Sequence, residues 1–157
     1  MPIYKKHLYL LIFAKNNDMP RRDFYHEAFK EALVKDGWTI THDPLTLLSK
    51  KEGGLQTDVG AEKVVTAEKG LKKIAVEIKS FITPSALHEF IKSTGQYRAY
   101  RLAMNVKKSD RFLFIAIPSF AWKIIANKEI VQALIDDVSM KIILYDPTEK
   151  IINEWKE

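Results

Sequence analysis

The run Arg111-Phe112-Leu113-Phe114-Ile115-Ala116-Ile117 constrains the fold more than any other stretch of the chain. Every residue after the arginine is apolar, and Pro118, which cannot donate to a strand ladder, ends the run. It is short and rich in aromatic and branched side chains, which favours a strand over a buried helix. Strand side chains alternate, so Phe112, Phe114 and Ala116 take one face while Leu113, Ile115 and Ile117 take the other. A strand apolar on both faces must be covered on both. That predicts a central strand in a sheet with helices packed on either side.

The neighbouring stretches supply those parts. The spacing of Phe24, Tyr25, Ala28, Phe29, Ala32 and Leu33 predicts a helix over Pro20 to Lys35, with Asp18 as its cap and Gly37 as its end. His26 and Glu31 fall on the borders of its apolar face, and Glu27 points further out. Trp38 to Thr41 reads as a strand broken by His42-Asp43-Pro44 and resumed at Leu45–Leu48, with a turn at Ser49 to Gly54. Gln56 to Val65 reads as one strand with Asp58, Gly60 and Glu62 on one face. A turn at Glu68-Lys69-Gly70 leads into Ile74 to Ser80, so residues 38–80 form an antiparallel meander. Thr83-Pro84 opens a helix that runs to about Met104, with Gly95 as a bending point. Short helices follow at Phe120–Ile125 and Glu129–Leu134, the second capped by Asn127. Lys141–Tyr145 is a further strand, and Ile151–Trp155 an edge strand. The sum is an α/β domain with one mixed sheet flanked by helices. A dinucleotide-binding G-x-G-x-x-G or a phosphate-binding P-loop is absent from the sequence.

Composition narrows the chemistry. The 157 residues suffice for one domain with a substantial core. There is no cysteine, which excludes disulfides, a thiol nucleophile and zinc–thiolate ligation, and fits a reducing cytoplasmic setting. The four histidines stand singly, so a histidine-rich metal site is not expected. A net charge of +5 is compatible with a polyanionic partner. The apolar run Leu8 to Ala14, behind Lys5-Lys6, is too short to span a membrane, which takes about 20 residues. It also lacks a small-x-small cleavage site. Residues 1–18 read as an N-terminal extension ahead of a start at Met19, or else as an extra strand, with a targeting peptide as the third alternative.

The chemically suggestive stretch is Ile74-Ala75-Val76-Glu77-Ile78-Lys79-Ser80. Glu77 and Lys79 project from one face beside the small Ala75, while Ile74, Val76 and Ile78 take the other. Such a pair is ordinarily a solvated surface contact worth about 0–1 kcal/mol. In a strand that reads as central, an uncovered charge is costly unless it has a use. With Asp58 upstream, the trio is the minimal equipment of a metal-dependent phosphodiesterase. Two carboxylates bind a hard divalent cation, and the lysine holds the attacking water or offsets phosphate charge.

Asp58 and Glu77-x-Lys79, with a helix before and a helix after, resemble the PD-(D/E)XK nuclease superfamily. More narrowly, four blocks are similar to the XisH family, the fdxN element excision controlling factors of cyanobacteria. They are Lys35-Asp36-Gly37-Trp38-Thr39-Ile40-Thr41-His42-Asp43-Pro44-Leu45, Asp58-Val59-Gly60-Ala61-Glu62-Lys63, Val76-Glu77-Ile78-Lys79-Ser80-Phe81 and Gly95-Gln96-Tyr97. The likeness runs from about Met19 to the C-terminus. It implies a restriction-endonuclease-like core, a link to programmed DNA excision and a XisI-type protein partner. It also implies Asp58, Glu77 and the Ile78 carbonyl as ligands of Mg2+ or Mn2+, Lys79 as base or water-positioner, and Gln96 near the metal or phosphate. A first-helix site residue is implied too, with Glu27, then His26, then Glu31 as the alternatives. Glu62 is either an accessory ligand or a partner of Lys63 or Lys73.

DNA, a XisI-type protein and a second copy of the chain are the partners this reading accommodates; a membrane is not. Lys50, Lys51, Lys69, Lys72 and Lys73, with Arg98, Arg101, Lys107 and Lys108, are the cations available to phosphates. Tyr97 and Tyr100 suit base stacking or, more ordinarily, core packing. Three readings stay open: a metal-dependent DNA endonuclease, a non-catalytic factor on a nuclease fold that steers a separate recombinase, or one half of a two-protein complex.

Overall fold

A computed structural model describes residues 21–65, 70–82 and 84–157. The expectations for residues 1–18, for the caps at Asp18 and Thr83 and for the turn at Glu68-Lys69 lie outside the described residues.

The apolar run forms the strand β6 (Phe112–Pro118) inside a six-stranded sheet. The other strands are β1 (Thr39–His42), β4 (Val59–Val65), β5 (Gly70–Ile78), β7 (Ile142–Asp146) and β8 (Ile151–Lys156), in the order β1-β4-β5-β6-β7-β8. β5, β6 and β7 run parallel, and the outer pairings are antiparallel. Parallel neighbours need crossovers. The helix α2 (Ala86–Val106) carries the chain from β5 to β6, and α3 (Ser119–Ile125) with α4 (Glu129–Val138) carries it from β6 to β7. The helix α1 (Arg21–Lys35) precedes the sheet.

Alternation sorts the core into two layers. Ala75, Leu113, Ile115, Ile117, Ile142 and Leu144 pack against α2, α3 and α4. Ile74, Val76, Phe114, Ala116, Ile143 and Tyr145 pack against Phe29 and Leu33 of α1 and against Trp38. Both faces of β6 are therefore buried, except at Phe112, where the strand begins and 51% of the residue meets solvent. Trp155 of the edge strand β8 closes the α1 side, stacked on Trp38 and edge-on to Phe114.

α1 ends as its sequence suggests. Gly37 adopts φ +92, its N–H donates to Val34 O at 3.0 Å, and the Trp38 N–H donates to Leu33 O at 3.0 Å. This is the double bond of a left-handed glycine terminus, and it turns Trp38 back onto the helix it follows.

Four expectations shift. The stretch Gln56 to Val65 is two strands, not one: β3 (Leu55–Thr57) pairs with β2 (Leu45–Leu48) in a separate hairpin, and β4 pairs with β1 and β5. The break falls at Asp58, whose carboxylate Oδ2 accepts the Ile78 N–H at 2.8 Å and so takes a side-chain bond where a ladder bond would stand. The meander over residues 38–80 thus carries a hairpin as a branch, tipped by a turn at Lys50–Glu52. α2 begins at Ala86, behind a Pro84-Ser85 turn, and passes Gly95 without interruption. α4 is capped at Lys128, not Asn127, and extends to Val138.

Candidate active site

The carboxyl end of β5 carries the site. Glu77 stands opposite Ile115 and Ile78 opposite Ala116 in the parallel register with β6. The Lys79 N–H continues the ladder by donating to Ala116 O at 2.9 Å, which fixes the backbone from which its side chain springs. Asp58 arrives from the other side, at the point where the hairpin hands the chain back to the sheet. Its bond to the Ile78 N–H ties it to the backbone between Glu77 and Lys79. Gly60, next along β4, lets the hairpin root come close. A Cβ there would meet His42 Cβ at 3.2 Å and Leu45 Cδ2 at 3.3 Å.

These residues line one cleft of about 460 Å³, closed by Pro44, Gln56 and Thr57 from the hairpin and by Gln96 and Tyr100 from α2. Asp58 and Glu77 are 7% and 8% exposed. Lys79 Nζ lies 3.4 Å from Glu77 Oε1. Gln96 Nε2 donates to Tyr100 Oη at 2.6 Å, which holds the amide along the wall. The lining holds two carboxylates against one ammonium.

A divalent cation fits that donor set. Asp58, Glu77 and the Ile78 carbonyl offer hard oxygens only, the preference of Mg2+ and Mn2+. Adding two positive charges converts a cleft with one excess negative charge into one that attracts a phosphate.

The residues expected on α1 divide. His26 does not line the cleft but lies against its wall, with Nδ1 4.0 Å from Asp58 Oδ1. Its Nε2 donates to Asp43 Oδ1 at 2.7 Å, and Lys30 Nζ reaches Asp43 Oδ2 at 2.7 Å. Glu27 does not line the cleft: it is exposed and pairs with Lys30 at 3.3 Å. Glu31 is exposed and pairs with Lys150 at 3.1 Å. The helical phase explains the division, because only His26 sits on the border of the apolar face nearest Asp58. Glu62 is four residues along from Asp58 and meets Arg111 at 3.6 Å, away from the cleft.

Among the described residues, His26, Glu27 and Asp43 form the one trio of such side chains close enough to share an ion, with ligand atoms within 4.8 Å of one another. The Lys30 ammonium already bridges the two acids of that trio. Burial pushes the Asp43 carboxyl up, but its bonds from Lys30 and His26 outweigh that and hold it below its ordinary value. The bond to Asp43 raises Lys30 correspondingly. The cluster is thus a clamp that ties the root of the hairpin, and with it Pro44, to α1.

Two further residues carry no local signal in the sequence. Arg111 donates from Nη1 to Ala61 O at 3.3 Å and to Ile74 O at 3.0 Å, pinning β4 and β5 at the end of the sheet away from the cleft. Tyr145 is fully buried on the α1 side, and its hydroxyl has no hydrogen-bond partner among the described residues. Burial pushes its phenol well above the usual value, helped by Tyr25 and by Asp58, so Tyr145 stays neutral beside that carboxylate. Tyr97 is a core residue: it donates to Leu113 O at 3.0 Å and accepts the Lys141 N–H at 3.1 Å. Of the expected phosphate contacts, Lys72 pairs with Glu157 at 2.8 Å and Lys73 with Asp110 at 3.1 Å. Lys107 pairs with Glu52, and Arg101 donates to Val138 O.

Comparison with known proteins gives a consistent result. The family model described as XisH protein matches residues 19–153. The solved structure of an XisH family protein from Nostoc punctiforme PCC 73102 is 34% identical, with a TM-score of 0.73 over 85% of this chain and 99% of that one. The structure of a fdxN element excision controlling factor protein from Anabaena variabilis is 36% identical, with a TM-score of 0.73 over 86% of this chain and 99% of that one. No curated protein matches the chain.

Proposed function

The chain belongs to the XisH family, and from that premise we propose that it is a divalent-metal-dependent DNA phosphodiesterase of PD-(D/E)XK type, acting in the excision of a DNA element. The observation that carries the reading is the convergence of Asp58, Glu77, Ile78, Lys79 and Gln96 on one cleft, with both carboxylates nearly withdrawn from water. Withdrawing two acids is unfavourable for a pure scaffold and useful to a cation site.

Asp58, Glu77 and the Ile78 carbonyl would hold Mg2+ or Mn2+. The bound ion would lower the pKa of a water and draw charge from the phosphate oxygens. Lys79, held by Glu77, positions the attacking water and offsets the charge that develops on the phosphate. Gln96 steadies a phosphate oxygen or that water through its amide. Asp58 is anchored by the Ile78 N–H, so the ligand set is prearranged before substrate arrives.

The reading places the protein with DNA in the cytoplasm and beside a XisI-type partner. Among the described residues, no helix is long and apolar enough to cross a membrane. One observation favours a second reading: the name of the Anabaena variabilis relative speaks of controlling excision, and such control can be exerted by a scaffold that steers a separate recombinase. Plasmid nicking in Mn2+, with and without the XisI-type protein, separates the two. The phosphodiesterase reading expects nicking by the wild type and none by Lys79→Ala. The scaffold reading expects no nicking by either, with excision control in cells unchanged by the substitution.

A further inference from the structure

Lys79 and Gln96 border more than the cleft of Asp58 and Glu77. The same two side chains wall a second hollow of about 450 Å³, lined otherwise by Phe81, Glu89, Lys92 and Ser93. The hollows are nearly equal in volume, and Lys79 and Gln96 stand between them. A chain molecule held in the first therefore has the second directly beside it, across the shared Lys79 and Gln96.

The second hollow has a different character. Its floor is Phe81, which is buried and packed on Phe90 with ring centroids 5.6 Å apart. Phe81 has φ +48, a conformation that bulky residues seldom adopt and that persists only where the surroundings enforce it. That backbone turns the chain aside directly after Lys79-Ser80 and leaves room between β5 and α2. Ser93 spends its proton on Phe90 O at 2.6 Å, so its oxygen is left as an acceptor. Lys92 is exposed and has neither an ion pair nor a hydrogen bond among the described residues. Lys79 on the shared wall is paired with Glu77, so the hollow's own charges are the Lys92 ammonium and the Glu89 carboxylate, one acid where the first has two.

We propose that the second hollow is a subsite for the nucleotide adjoining the bond held at Asp58 and Glu77, with Lys92 taking the flanking phosphate of a nucleic-acid strand and Phe81 flooring its sugar. The proposal rests on the phosphodiesterase reading and deepens it. A single phosphodiester would fill the first hollow alone. Charge that recurs along a chain is what matches an acidic hollow, made positive by its ion, beside one that offers the unpaired Lys92 ammonium without an ion. Ligation by an ion suits the first because it has two acids; direct contact with an ammonium suits the second because it has one.

Fluorescence anisotropy tests this, using 12-nucleotide single-stranded DNA and RNA of one sequence over a range of KCl, with Ca2+ in place of Mn2+ so that an oxygen-seeking ion is present while the strand stays intact. Wild type, Lys92→Gln and Lys123→Gln are compared, the last an exposed lysine of α3 outside both hollows. Lys92→Gln should bind more weakly at low salt. Its plot of log affinity against log salt should be shallower by about 0.7, the signature of one phosphate contact on a single strand. Lys123→Gln should match the wild type, and the thermal shift with Mn2+ should be the same in all three. A lowered slope on DNA, on RNA or on both supports the subsite and names the strand it takes. Equal slopes for the wild type and Lys92→Gln overturn the subsite while leaving the phosphodiesterase reading in place. A wild type that binds neither oligonucleotide overturns the subsite, and plasmid nicking then stands as the separate test of the phosphodiesterase reading.

Discussion

β5 and β6 lie side by side in parallel register and end in opposite ways. At one level of the sheet, Glu77 of β5 faces Ile115 of β6, and both are nearly out of water. Ile115 contributes to stability there, as a fully buried aliphatic side chain does by about 1.5–3 kcal/mol. Glu77 is the opposite case. A carboxylate drawn out of water costs free energy and has to be compensated by partners, of which Lys79 at 3.4 Å is one. Adjacent strands therefore divide the labour: β6 holds the molecule together, and the end of β5 is kept polar at some expense to it.

That contrast can be broken by substitution. The largest effect belongs to β6. Ile115→Ala should lower stability by about 2–5 kcal/mol through the cavity it leaves, measured by urea unfolding; a loss no greater than that of a surface substitution would remove β6 from its central place. Next comes Arg111, which pins β4 and β5 through two carbonyls. Arg111→Met should cost about 1.5–3 kcal/mol in the same assay, as bonds from a charged donor are lost. Without added metal, Glu77→Gln should fall within about 1 kcal/mol of the wild type, because the change removes a charge but keeps the shape. If it unfolds the protein, Glu77 is a structural residue and the division fails.

The smallest effect is at the clamp, and it is a matter of pH. Asp43 is lowered from 3.8 in the folded state, so its contribution is present above that value and is lost as pH falls through the folded pKa. Lys30 is raised from 10.5, so its contribution is present below that value and is lost as pH rises through its folded pKa. Asp43→Asn should lower stability near neutrality, by at most about 1 kcal/mol for groups this near solvent, and converge on the wild type at low pH, so that the acid slope flattens. An undiminished acid slope in the variant would show that Asp43 does not close the clamp.

How much of this could be read beforehand follows the range of the interactions. The two-faced burial of β6, the shared face of Glu77 and Lys79 and the glycine end of α1 are set by neighbours a few residues apart, so periodicity exposes them. Gln96 was reachable only through the family resemblance, since an amide on a helix has no pattern of its own. The break at Asp58 was not legible. It depends on a side chain bonding to the Ile78 N–H, 20 residues away, and the run around it otherwise alternates like an uninterrupted strand. The choice among His26, Glu27 and Glu31 was not legible either, because it turns on the packing of α1, which sets His26 4.0 Å from Asp58 and leaves Glu27 exposed. The pinning by Arg111 and the clamp at Asp43 join elements far apart in sequence, and in one chain they look like ordinary surface charges.

The account turns on whether the end of β5 holds a cation. Its direct measurement is the thermal shift of metal-free protein on adding Mn2+, for the wild type, Asp58→Asn, Glu77→Gln and Lys79→Ala. A hundredfold excess over Kd should stabilise the wild type by about 2.7 kcal/mol, a rise of several degrees for a chain of this length. Asp58→Asn and Glu77→Gln should remain folded and lose the response. Lys79→Ala should keep or strengthen it, since an ammonium beside the site repels the ion. A wild type whose melting temperature ignores Mn2+, or acidic-residue variants that respond as it does, would contradict the assignment of the cleft.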